Sequence, residues 1–169
     1  MKLFRTRLSR IILWAFALNT VWEFGQCLFF YDMWSWPFWK STALMWAAIF
    51  GDILIVLGLW KGACFLNGLG QFHKPSSTGY LILLLLSFGA SIVLEWMAIY
   101  FNLWSYDASM PMVEVLNHKI GILPVLQITT LPALSVWLAG VWNKRKKAGD
   151  SAAVAFTSEI RRSKSSDES

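Results

Sequence analysis

Apolar positions gather in four long runs, 11–30, 42–60, 79–101 and 120–142, with shorter polar or aromatic segments between them. About 20 apolar residues make a helix long enough to cross a bilayer core. Hydrocarbon supplies no partner for backbone N–H and C=O groups, so runs of this length are expected as helices. The pattern predicts an all-α integral membrane protein with four transmembrane helices. It divides the chain into a basic N-terminus (1–10), a four-helix domain (11–142) and a polar tail (143–169).

Charge orients these helices. The segments 1–10 and 143–169 together hold eleven basic and four acidic residues, a net +7, while 11–142 carries a net −2. Basic residues flanking apolar runs follow the positive-inside rule, so both termini are expected in the cytoplasm, the side that four spans also give them. Segments 31–41 and 102–119 then face outward. The expected location is the inner or plasma membrane. A basic start before an apolar run also describes a signal peptide, but the small-x-small site Ala15-Phe16-Ala17 comes too early. The run is therefore expected as an uncleaved first helix. The tail after 142 is rich in Ser and charge and is expected to be disordered.

Composition agrees. Of 169 residues 56% are hydrophobic, 16% aromatic and 15% charged, with eleven Trp. Soluble domains carry about a quarter charged residues. The net +5 is split between flanks, so it gives no footprint for nucleic acid. Two Cys outside any C-x-x-C motif exclude a disulfide scaffold and give no redox or zinc motif. No phosphate loop, H-E-x-x-H or G-x-S-x-G is present, and no cofactor or metal is expected.

The candidate chemistry lies in polar residues inside the runs. Glu23, Asp52 and Glu95 fall within spans that contain no Lys or Arg. An ionised carboxylate at mid-bilayer costs about 2.5–3.5 kcal/mol on insertion scales. Three such groups without a basic partner cannot all be ionised in a dry interior: they are protonated, share protons, bind a cation or are reached by water. By their positions along the runs, Glu23, Asp52, Glu95 and Gln127 all fall between mid-membrane and the outer interface. They lie on polar stripes at helical spacing: Asn19, Glu23 and Gln26, with Cys27 beside them; Ser87, Ser91 and Glu95; Pro124, Gln127 and Thr130. Hydroxyls and amides on such stripes serve as ordinary interhelical hydrogen bonds. The acids fit that role poorly, since an amide would do the same work without a charge. Gly51 beside Asp52 also suits close helix packing. Glu23, Glu95 and Asp52 are the expected catalytic groups. Asn19, Gln26, Trp104, Tyr106, Asp107 and Gln127 are expected to bind substrate. His118, at the outer mouth of the fourth run, is a weaker candidate, and His73 reads as solvated.

A weak internal repeat accompanies them. Glu23 precedes Tyr31-Asp32, Pro37 and a run bearing Asp52, while Glu95 precedes Tyr106-Asp107, Pro111 and a run bearing Gln127. Both halves run in, out and back, so a true repeat is parallel, with its axis along the membrane normal.

The motif E-W-x(7)-W-S-Y-x(3)-M-P over 95–111, with L-P-x-L-Q-x(3)-L-P over 123–132, resembles a group of small bacterial integral membrane proteins of unassigned function. Trp22-Glu23 and Gly51-Asp52 match more loosely. The resemblance implies a helical membrane protein and supplies no activity. A fainter similarity, in the arrangement of acids, aromatics and Pro, is to lycopene-cyclase-type membrane enzymes. By analogy it implies carboxyl chemistry on a polyene.

Three functions remain open at this point. One is acid–base chemistry on a lipid-soluble, isoprenoid-like substrate. The second is a proton- or cation-binding, transporter-like protein acting as a homodimer. The third is a non-catalytic assembly partner for another membrane protein.

Overall fold

A computed structural model describes residues 6–30, 36–68, 76–103, 106–115 and 118–142. The segments 1–5 and 143–169, Tyr31-Asp32, His73 and Trp104 lie outside the described residues. The chain folds as a helical bundle of α1 (Arg7–Phe30), α2 (Phe38–Leu66), α3 (Ser77–Tyr100) and α4 (Ile122–Trp142). Three of these, α2, α3 and α4, are long and apolar enough to cross a membrane. The 29 residues of α2 rise about 43 Å, more than the hydrocarbon thickness.

Local chemistry fixes the helix ends. The Ser9 N–H donates to Thr6 Oγ1 at 3.2 Å and the Gly79 N–H to Ser76 Oγ at 3.1 Å, both N-cap bonds. Helix α3 ends in a Schellman turn. Asn102 takes φ 51°, a left-handed value that Asn tolerates, and the Leu103 N–H reaches the Ala98 carbonyl at 3.0 Å. The turn brings Leu103 back to the rim of the site.

One element departs from the all-α expectation. Strands β1 (Met112–Val115) and β2 (His118–Gly121) form an antiparallel hairpin, with Glu114 opposite Lys119. The fourth run therefore begins as strand, and its helix starts at Ile122. Four-residue strands are too short to show a clear period of two. The signal present was the pair of short β-branched stretches flanking Leu116-Asn117.

The core lies between the helices and toward one end. Ile11 and Ala15 of α1, Ile49, Val56 and Trp60 of α2, Leu83 of α3, and Val136 and Ala139 of α4 are buried together. Trp14 meets Trp142 edge to face at 6.1 Å, so α1 begins where α4 ends. At the other end the Asp107 N–H and the Ser109 hydroxyl donate to the carbonyls of Phe30 and Phe29. Large apolar side chains such as Val21, Phe50, Leu54, Leu85 and Phe88 remain exposed on the outer helix faces. Large apolar side chains exposed in this number suit contact with a membrane or another protein.

Candidate functional site

Three helices place amide and carboxyl groups against one another. The Gln127 amide nitrogen is 2.6 Å from Asp52 Oδ2, 2.7 Å from Glu23 Oε1 and 3.2 Å from Asn19 Oδ1. It donates across α4 to both α2 and α1. A primary amide has two N–H groups, so the two short contacts to acids use both and the third is shared. The Asn19 amide also donates to the Ala15 carbonyl, at 2.9 Å. Glu23 Oε1 and Asp52 Oδ2 thus lie within hydrogen-bond reach of one and the same nitrogen, which makes the two carboxyl groups neighbours. Cys27 adds a weak thiol donor, 3.9 Å from Glu23 Oε2.

Glu95 is held separately. Its Oε2 accepts from the Tyr106 hydroxyl at 2.5 Å and from the Gly121 N–H at 3.1 Å. The absence of a side chain at Gly121 allows this close approach. A Cβ at this position would lie 3.1 Å from Tyr106 Cζ and 3.1 Å from Pro124 Cδ. The hairpin thus delivers a backbone donor, and the preceding loop a phenol, to an acid on α3 that is only 1% exposed.

The two arrangements face a single space. Glu23, Asp52, Glu95 and Gln127 all line a cavity of about 400 Å³. Its remaining walls are apolar, from Leu44, Ala48 and Ile55 of α2, Leu94 and Met97 of α3, Phe101 beyond it, and Pro124 and Ile128 of α4. No Lys or Arg lines it among the described residues. A volume of this size suits a small or medium ligand. Gly51 also lines the cavity, and a Cβ there would meet nothing within 4 Å. It opens space and does not serve close helix packing.

The remaining expected site residues separate. Asn19 supports the acids from one turn below Glu23. Gln26 is buried but stays off the cavity wall, and its Oε1 accepts from the Trp22 indole at 2.5 Å. Tyr106 positions Glu95. Asp107 is exposed and organises a turn, its Oδ1 accepting the Ser109 N–H at 2.9 Å, and that hydrogen bond holds its carboxyl below the usual Asp value. Ser91 and Thr130 bond back to carbonyls of their own helices. His118 lies in β2 with its ring 6.0 Å from that of Trp96. Cys27 and Cys64 are both free. No cluster of three or more metal-ligating side chains occurs among the described residues. Sequence reasoning missed the Gly121 N–H and the convergence of Glu23 and Asp52 on a single amide nitrogen. A glycine just before Pro124 was the one available hint of the former.

No family model, curated protein or solved structure matches the chain.

Proposed function

We propose that the chain is a membrane enzyme performing acid–base chemistry on a lipid-soluble, isoprenoid-like substrate within the acid-lined cavity. The observation that carries this reading is the convergence of Glu23, Asp52 and Glu95 on one apolar space. Apolar walls suit a hydrocarbon. The Glu23 and Asp52 carboxyls, gathered on the Gln127 amide, and the separately held Glu95 supply a proton donor and a proton acceptor. In such a reaction one carboxyl adds a proton to an alkene carbon, and another removes a proton from a neighbouring carbon. The balance is an isomerisation or cyclisation, with no redox change and no cofactor. Phe101, on the cavity wall, is the aromatic side chain nearest to hand for a developing cation.

In this reading α1 is the fourth span and the protein lies in the inner or plasma membrane. The basic flanks place both termini in the cytoplasm, and the Trp14–Trp142 contact, which sets the ends of the bundle side by side, supports it. The outward end is then the one bearing the hairpin and the acids. The parallel repeat is part of the same proposal. Asp52 and Gln127 hold corresponding positions in the two halves, and their 2.6 Å contact suits residues near a pseudo-twofold axis.

Turnover tests the function. Purified protein in bilayers is given a linear polyene isoprenoid, and products are separated by chromatography. Wild type is expected to convert it, and Glu23→Gln and Glu95→Gln are expected to lose conversion while folding normally. Full activity in both variants would sink the proposal.

A further inference from the structure

We propose that the cavity continues outward into a subsite for an anionic headgroup, so that the ligand is an amphiphile with an apolar tail and a phosphate-type head. This rests on the cavity being a site for lipid-soluble molecules. A second pocket of about 580 Å³ adjoins the first, and Leu44 and Leu103 line both. Trp36, Trp39, Lys40 and Asn102 supply its polar and aromatic lining. Among the described residues no acid lines this pocket, whereas three line the cavity beneath it.

Lys40 is its charged group. Its ammonium lies 4.1 Å from the centre of the Trp36 ring, a cation–π contact that holds it in place without neutralising it. Asn102 is fixed by the Schellman turn at the end of α3, and its amide offers further N–H donors. The backbone at the start of α2 adds to the field, because Pro37 caps it without a side-chain hydrogen bond. An apolar chamber opening into a cationic, aromatic chamber matches a molecule with one hydrocarbon end and one anionic end. A neutral hydrocarbon would leave the outer chamber's charge unused.

The test uses the full chain in zwitterionic phospholipid nanodiscs. The probes are a long-chain alkyl phosphate with a photoactivatable group in its tail and the alcohol of the same tail. The phosphate is expected to label cavity residues about fivefold more than the alcohol, the gain expected for one cation near a membrane surface. Lys40→Gln is expected to bring phosphate labelling down to the alcohol's level, and Lys40→Arg to keep the excess. Equal labelling by both probes, or an excess that survives Lys40→Gln, would overturn the headgroup subsite. Alcohol labelling would then still uphold the cavity as a lipid site. If neither probe labels cavity residues, the lipid-site reading falls as well. Inorganic phosphate in excess is expected to leave the labelling unchanged. Loss of the alkyl phosphate's advantage in its presence would show a site for free anions and overturn the amphiphile.

Discussion

The side-chain nitrogen of Gln127 lies 2.6 Å from Oδ2 of Asp52, and the same nitrogen reaches Glu23 Oε1 at 2.7 Å. One amide therefore joins α4 to two other helices through their acids. Gln127→Leu keeps the bulk and removes both donors. Leaving buried acceptors short of partners costs about 1–3 kcal/mol, so the denaturation midpoint in detergent should fall accordingly. An unchanged midpoint would mean that the amide is incidental to the packing.

Two glycines should respond in opposite ways to the same substitution. Gly121→Ala drives a methyl against Tyr106 and Pro124 and should cost about 1–3 kcal/mol, as other overpacked sites do. Gly51→Ala meets open space and should leave stability unchanged or raise it by up to about 1 kcal/mol through helix propensity. It should still weaken ligand binding, because its methyl enters the cavity. Thermal unfolding of the two variants, together with ligand binding by the second, checks both statements.

Tyr106 and Glu95 should be energetically coupled. Tyr106→Phe removes the hydroxyl donor and should cost about 1 kcal/mol. In a double-mutant cycle with Glu95→Ala, the effects should fall short of additivity by about 0.5–2 kcal/mol. Strict additivity would show that the 2.5 Å contact contributes nothing.

The Asp107–Ser109 turn should keep its structure in mild acid. Asp107 is held below the usual Asp value by the Ser109 hydrogen bond. A depressed carboxyl contributes stability that is present above the ordinary value and is lost as pH falls through the folded one. Exchange protection of the Ser109 amide should therefore persist through the ordinary Asp range, near about pH 4, and disappear only below it. Loss at the ordinary value would contradict this account of the turn.

The convergence of four polar residues was legible because apolar runs of similar length set polar positions at comparable levels along a bundle. Counting along the four runs puts Glu23, Asp52, Glu95 and Gln127 at similar levels, and they line one cavity. Depth does not fix rotation about the helix axis. Glu23 and Gln26 share a stripe, yet an offset of three residues turns Gln26 about 60° to one side, where it meets Trp22, while an offset of four keeps Cys27 on the cavity wall. Asp107 lies off the acid-lined cavity for a related reason. An Asp two residues before a Ser forms a local turn, and the repeated Tyr-Asp drew attention to both residues when only Tyr106 reaches inward. The hairpin was hidden by its length. The Gly121 N–H carries no side-chain signature at all.

The central claim is that the acids face a chamber that membrane-dissolved molecules can enter. Photo-crosslinking with a neutral, photoactivatable isoprenoid alcohol tests it most directly, because α2 presents two contrasting faces. Ala48, Gly51 and Ile55 line the cavity, whereas Phe50 and Leu54 are 57% and 69% exposed on the outside of the bundle. Labelling is predicted at the cavity residues as well as the outer face, with the cavity labels alone abolished by the space-filling Ala48→Trp. Labelling confined to Phe50, Leu54 and the other outer positions, and indifferent to Ala48→Trp, would contradict it.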